Sequence, residues 1–501
     1  MEQATRERLW QMNPKRSFLK PAWSEALLLG LCAAACCAQL FVRPYIGLAN
    51  NGDFGKVFAR FGMDPPDGGA RNFVYFVSDY DFVPHVWKSS FRSSETVLAA
   101  VSILPAKASG ARSFNIRWLG TLHLLLFLAA AYALLVYLRP FGRAFQIPVA
   151  SFALFIFTDV AYVSYFNSFF SDTPALLGLL AMVPLALYLA GRQSTSGAAL
   201  WVFTAAAVLF VTSKSQHTLM AIFPVALLLS LRAIPWRRRL APAALVAASA
   251  VYMVVTQDEF YTSHALFNMI FYKIAPGSRV PEAAVRELGL GPDEYRFIGT
   301  HAFTPGNPTV DIPWLRYFNG RTSFGKVLRY WWRHPHEAMR ALRNDRDQHA
   351  CDLRQRNLAN FRREDGYPPG TLATRFAFWS NLRSEMYRLW PAHIFWWYAA
   401  VIGVAAANLR RHRAAASICL GVCAFAILEF CFACLTDAVE TERHLFIFHA
   451  ATEITICFAA AWALAAIARE WRRSSLEQPG ETSIRRERHH LEFDQAGSDQ
   501  G

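Results

Sequence analysis

The stretch Trp118–Leu138, WLGTLHLLLFLAAAYALLVYL, decides the fold. It contains no Asp, Glu, Lys or Arg. Its length matches the roughly 20 apolar residues that cross a hydrocarbon core about 30 Å thick. In lipid a helix satisfies its own backbone hydrogen bonds, so an unbroken run of this kind reads as a membrane helix. Working outward, nine more stretches carry the same signature: Ala26–Phe41, Ile147–Tyr165, Pro174–Leu189, Leu200–Thr212, Leu219–Leu231, Ala241–Thr256, Ile394–Ala407, Ala414–Leu435 and Leu445–Ala468. Leu200–Thr212 and Leu219–Leu231 are short, with the polar run Ser213-Lys214-Ser215-Gln216-His217 between them. They read as two spans or as one helical hairpin. The fold class is therefore an all-α polytopic membrane protein of about ten transmembrane helices.

Composition agrees. Of 501 residues 54% are hydrophobic and only 18% charged, where a soluble protein has about a quarter charged. Mean hydropathy is +0.18. These values exclude a disordered chain, a coiled coil and a small disulfide scaffold. The 51 Lys+Arg against 37 Asp+Glu give a net charge of +14. With the N-terminus in the cytoplasm, the cytoplasmic pieces hold 21 Lys/Arg, while the short outside loops hold only Lys214 and Arg443. That bias orients the chain with both ends inside, in the cytoplasmic membrane. Much of the basic balance is thus topological. The lipid bilayer is the expected partner and nucleic acid is not.

The expected organisation has five parts. Residues 1–25 form a cytoplasmic N-terminus. Residues 26–256 form a seven-span module with a first extracytoplasmic loop at 43–117. Residues 257–393 are a second extracytoplasmic segment, 394–468 a three-span module, and 469–501 a solvated, disordered cytoplasmic tail. No small-residue cleavage site follows Ala26–Phe41, so it reads as an anchor. In the second segment, Ser323–Arg343 places Val327, Tyr330 and Trp331 on one helical face among bases, as an interfacial helix would, with Pro335 breaking it. Ser94–Leu104 is a weaker stretch of the same kind. Of nine cysteines only Cys351 lies outside the spans, so no disulfide is expected there. Cys431 and Cys434 form a CxxC within an apolar helix, where packing explains them.

Ionisable groups in spans, or in very short loops between them, are costly and mark function. Five clusters stand out, all at the outside ends. Asn50-Asn51-Gly52-Asp53-Phe54-Gly55 follows the first span; it reads as an Asx-turn or helix cap, or as a turn holding the Asp53 carboxylate at the membrane surface. Asp159 and Tyr162 lead to Asn167 and then to Asp172-Thr173-Pro174, which also suits a helix start. Lys214, Gln216 and His217 end the fifth span; lysine suits a phosphate as a point charge. Asp437, Glu440, Glu442, Arg443 and His444 lie between the last two spans, and arginine can grip phosphate with two parallel bonds. Glu429 and Glu453 lie deeper, where a basic partner is expected. Asp79-Tyr80-Asp81 is a DxD, whose paired carboxylates can hold a divalent ion; that is the weakest signal of the five. No cofactor is otherwise called for.

Carboxylates after the first span and cations at other outer ends suit an enzyme acting on a lipid phosphate. A polyprenyl-phosphate-linked sugar offers a leaving group whose charge needs cations, and an acceptor hydroxyl needs a general base. One carboxylate and one phosphate grip on opposite sides of a sugar suffice for direct displacement with inversion.

The layout resembles the GT-C glycosyltransferases. More closely, NNGDFG (50–55), TDVAYVSYFNSFFSD (158–172), SKSQ (213–216), YRFIGTHAFTP (295–305) and ETERHL (440–445) together resemble the bacterial glycan-biosynthesis hexose transferases of the WsfD type. Where similar sequences often carry Glu, this chain has the shorter Asp172. The resemblance implies a GT-C fold and hexose transfer from a polyprenyl-phosphate donor to a glycan acceptor, in cell-surface polysaccharide biosynthesis. By position it implies Asp53 as general base and Asp172 as a second carboxylate orienting a hydroxyl. It implies Lys214, Gln216, Arg443 and His444 at the donor phosphate, with Asn51, Tyr162, Asn167, His217 and Glu442 as further substrate-binding residues. Two rival readings stay open. A flippase for lipid-linked sugars would spread its ionisable groups near the midplane in repeated halves. A glycan polymerase or ligase would lean on arginines of a large outer loop.

Overall fold

The structure, a computed structural model, describes residues 22–66, 72–86, 91–191, 196–257 and 259–477. The expectations for the basic residues 1–21, for Arg192 and for the tail beyond Glu477 fall outside these residues.

Each of the ten apolar stretches is helical. The principal helices are α1 (Trp23–Leu40), α2 (Ser94–Ala108), α3 (Arg117–Leu138), α4 (Arg143–Phe157), α5 (Asp172–Gly191), α6 (Gly197–Val211), α7 (Ile222–Ser230), α8 (Trp236–Val255), α9 (Phe378–Leu389), α10 (His393–Asn408), α11 (Arg413–Thr436) and α12 (Phe446–Glu477). Among the described residues six helices are by length and composition able to cross a membrane: α1, α3, α5, α8, α11 and α12. The number is eight if two bent pairs each count as one span. α6 and α7 are separate short helices meeting at the Lys214 turn. α12 continues past Ala468 to Glu477, so the expected tail begins as helix.

Both bends have local causes. Asp159 accepts from Ala161 N (2.9 Å) and from Ser380 N (3.0 Å), so it caps a new turn after α4, and the axis swings by 56°. Between α9 and α10 the Trp390-Pro391 step ends one helix and the axis turns by 107°. Close packing joins the bundle: a Cβ on Gly178 of α5 would sit 2.8 Å from the Ala206 carbonyl of α6. Deep in the bundle, Arg383 of α9 donates from Nε to Glu453 Oε1 of α12 (3.0 Å), which supplies the basic partner expected for Glu453.

Two segments crown one end of the bundle. The first carries a three-stranded antiparallel sheet of β1 (Met63–Asp64), β2 (Asp79–Phe82) and β3 (Ser113–Asn115), in the order β1-β2-β3. Its α2 exposes Val97, Val101 and Leu104, a stripe at spacings of four and three that suits an interfacial helix. The second segment has its own core of Phe267, Phe271, Phe297, Phe318 and neighbours. Here one expectation is corrected. The helix does break at Pro335, into Phe324–Arg333 and Pro335–Gln348. Yet Val327, Tyr330 and Trp331 face this inner core and not lipid, because that core is large enough to take them. The segment is tied down by Lys273, whose ammonium meets Asp345 (2.6 Å) and the carbonyls of Cys434 (2.8 Å) and Asp437 (2.6 Å) at the end of α11.

Candidate active site

The site forms where four short turns meet at the crowned end. The first is Asn50–Phe54. Asn50 Oδ1 accepts from Gly52 N (2.8 Å) and Phe54 N (3.1 Å), and Gly52 sits at φ 105°, where a side chain would be strained. The Asx-turn reading is therefore correct, but Asn50 makes the turn. The Asp53 side chain is left over for other work. Asn51 Oδ1 accepts from Asp53 N (3.0 Å) and its amide donates to Glu440 Oε2 (2.6 Å).

The second turn is Glu440–His444. Glu440 adopts φ 60°, a left-handed conformation rare for a residue with a side chain. One helical turn, Thr441–His444, follows and aims Arg443 into the bundle. Its guanidinium is 6% exposed. Nη2 lies 2.7 Å from Asp53 Oδ2 and 2.9 Å from Glu440 Oε2, and Nη1 lies 3.4 Å from Asp172 Oδ2. The Phe170 ring lies 4.9 Å from its carbon and adds a cation–π contact.

The third turn is Ser213–His217. Ser94 N at the start of α2 donates to Thr212 O (2.8 Å), and Ser93 Oγ donates to Ser213 O (2.6 Å), so α2 fixes this turn. Lys214 Nζ is 3.6 Å from Asp172 Oδ1 and 3.2 Å from His444 Nδ1. His444 Nδ1 also lies 3.1 Å from Gln216 Oε1, and its Nε2 lies 3.0 Å from Asp437 Oδ2. Gln216 donates to Glu429 Oε1 (2.6 Å) and to His444 O (3.1 Å), locking the second and third turns together. The fourth turn brings Asp172 to the first position of α5.

Three carboxylates (Asp53, Asp172, Glu440) thus face three cations (Lys56, Lys214, Arg443). Lys56 Nζ lies 2.5 Å from Asp53 Oδ1, and it is flanked by the rings of Tyr261 (4.5 Å) and Phe91 (5.7 Å). Burial works to raise the Asp53 carboxyl, but Lys56 and Arg443 prevail and hold it well below the usual carboxylate range. Burial draws Lys214 below the ordinary lysine value, with Asp172 opposing. Burial, then Lys214 and Arg443, hold His444 well below the ordinary imidazole value, so it is neutral. Asp53, Lys56, Lys214, Tyr261 and Arg443 line a small cleft of about 10 Å³, room for about one water molecule.

The structure brings together Asp53, Asp172, Asn51, Lys214, Gln216, Arg443 and His444. Of these Asp53, Lys214 and Arg443 line the cleft and the other four surround it, whereas the remaining expected residues lie elsewhere. Tyr162 is buried against Phe157 (5.1 Å) and Phe446 (5.7 Å). Asn167 donates to the carbonyls of Leu40 (3.2 Å) and Ile46 (2.8 Å), a structural tie. His217 meets Glu429 (3.2 Å) beneath the turn, and Glu442 meets His349 (3.2 Å) to one side. Asp79 is tied to Ser78 and Asn115 (2.6 Å each), and among the described residues no three metal-ligating side chains gather. Sequence reasoning missed Lys56 and Tyr261. Lys56 stands three residues after Asp53, a helical spacing that signalled the pair; Tyr261 had no such signal.

The family model of the YfdI N-terminal transmembrane domain matches residues 12–484, and the chain belongs to that family. It is a multi-pass membrane protein. No curated protein matches it in sequence. Solved structures similar to it include the oligosaccharyltransferase of Archaeoglobus fulgidus in two states. One is tethered with an acceptor peptide containing the NVT sequon (11% identity, TM-score 0.40, covering 96% of this chain and 54% of that one). The other is the apo form (11%, 0.39, 92% and 53%). A third is archaeal AglB from the same organism with an inhibitory peptide and a dolichol-phosphate (12%, 0.40, 91% and 52%). This chain spans about half the length of those proteins.

Proposed function

We propose that the chain is a membrane glycosyltransferase of GT-C type. It moves a hexose from a polyprenyl-phosphate-linked donor to a glycan acceptor at the outer face of a bacterial cytoplasmic membrane, in cell-surface glycan biosynthesis. On this reading the ten helical stretches are ten crossings, both ends are cytoplasmic, and the two crowning segments are extracytoplasmic. The observation that carries it is the shared cleft of Asp53, Lys214 and Arg443: a carboxylate and two cations, suited to a phosphate, drawn from three distant parts of the chain.

The chemistry runs as an exchange of partners. A carboxylate clamped by Arg443 and Lys56 is a poor base, since a base works best with a pKa near the operating pH. The incoming donor phosphate competes for Arg443 and Lys214. As Arg443 turns to phosphate, Asp53 gains basicity and accepts the proton of the acceptor hydroxyl. The hydroxyl oxygen attacks the anomeric carbon, the bond to the phosphate oxygen breaks, and the leaving lipid phosphate is held by Arg443 and Lys214. Asp172, which faces both cations, keeps them in register. One displacement inverts the anomeric centre.

Purified protein given polyprenyl-phosphate-linked and nucleotide-linked hexoses, with and without EDTA, tests this. Transfer from the lipid-linked donor, with inversion in the product, is expected. Transfer from the nucleotide sugar alone would overturn it. The flippase alternative predicts lipid movement without a new glycosidic bond, and the polymerase or ligase alternative predicts transfer of a preassembled glycan.

A further inference from the structure

At the opposite end of the bundle a groove of about 510 Å³ runs between α3, α4, α5 and α12. That lies within the roughly 300–1,000 Å³ of small-molecule sites. Its walls are apolar and no acidic residue lines it; Arg469 is the cation in its lining, beside His412, which burial and then Arg411 and Arg469 hold below the ordinary imidazole value. Arg143 and Arg413 begin α4 and α11. From Arg469 to Ile454 the groove follows α12 for about 22 Å at 1.5 Å per residue. That exceeds the ~15 Å of one hydrocarbon leaflet. Its deep end is closed by aromatic pairs, Phe127 with Phe166 (5.6 Å) and Phe157 with Tyr162 (5.1 Å). The carboxylate cluster lies beyond them, so nothing held here reaches Asp53.

Apolar walls of this extent offer dispersion contacts to an apolar occupant. A hydrocarbon chain makes them, and Arg469, with no acid lining the groove, favours an anionic head. We infer that the groove is a binding site for an anionic phospholipid, with an acyl chain between α3, α5 and α12 and the phosphate at Arg469 and His412. The polyprenyl carrier does not fit this role, because its phosphate must reach the far end of the bundle. The inference rests on the groove itself, and only the exclusion of that carrier rests on the transferase reading.

The full chain, extracted in mild detergent, is analysed by native mass spectrometry for retained lipid. About one anionic phospholipid per chain is expected. Arg469→Glu, at an exposed position, should lower its retention roughly fivefold or more while neutral lipids are unaffected. Ala461→Trp, which fills the groove, should abolish retention. Should that variant fail to fold, the shift in thermal unfolding on adding phosphatidylglycerol to wild type and to Arg469→Glu serves instead, with the larger shift in wild type. No retained lipid, equal retention of neutral and anionic lipids, unchanged retention in Arg469→Glu, or retention of polyprenyl phosphate in its place would each overturn the inference.

Discussion

Arg443 Nη2 lies 2.7 Å from Asp53 Oδ2, although 390 positions separate them in the chain. The pair joins the turn after the first helix to the turn before the last. It makes the proposed base and the proposed phosphate grip a single unit, so a change at either partner should be felt by both.

Arginine at this position reaches three carboxylates because its donors are fixed in a planar fork, which lysine lacks. Arg443→Lys keeps the charge and loses the bridging. Turnover should fall by about 10²–10³, the usual cost of one preorganised donor at developing charge, with a raised KM for the donor. Steady-state kinetics against donor concentration reads both. Unchanged kinetics would show that charge alone suffices.

Lys214 faces the cleft from a different turn and touches Asp172 and His444. Lys214→Ala should weaken donor binding by about tenfold or more, the worth of a charged hydrogen bond, with less effect on the acceptor. Separate affinity measurements for donor and acceptor decide it. A change confined to the acceptor would remove Lys214 from the phosphate grip.

The held-down carboxyl of Asp53 predicts a pH signature. Its folded pKa is depressed, so the ion pair stabilises fully above the ordinary carboxylate range. That contribution is lost as pH falls through this range towards the depressed value. The acid limb of kcat/KM, which reports the free enzyme, should lie below the ordinary carboxylate range. In kcat it should lie higher, because the donor phosphate has taken Arg443. Lys56→Met should raise the limb in kcat/KM. His444, held neutral, should add no limb near about 6.5, the unperturbed imidazole value. Coincident limbs in both profiles would contradict partner exchange.

Arg383 and Glu453 form a second buried pair, each at most 2% exposed. Glu453→Leu strands the guanidinium and should cost about 3–5 kcal/mol. Arg383→Met with Glu453→Leu should recover most of that. Thermal unfolding in detergent measures both. Equal loss in the single and double variants would mean the site needs the charges themselves.

Much of the fold and the site was legible in the sequence, for physical reasons. Lipid forces apolar length and helix, so each of the ten stretches is a helix. Whether α6 and α7 cross was not legible, because their length is marginal and apolarity alone does not separate a short span from a hairpin. Asp53, Lys214 and Arg443 stood out because a charge between spans is expensive. The same rule overreached at Asn167 and Tyr162, where buried polar groups fasten backbone and pack among rings. Val327, Tyr330 and Trp331 were read correctly as one face, but periodicity does not say whether lipid or protein covers it. Tyr261 was invisible, since only the folded second segment carries it to Lys56.

The most direct measurement is single-turnover transfer by Asp53→Asn with the lipid-linked donor, on protein whose fold is checked by gel filtration and thermal unfolding. A general base at Asp53 predicts a folded variant that still binds donor and whose transfer rate falls by about 10²–10⁴, the worth of a positioned general base. Near-normal transfer by that folded variant would contradict it.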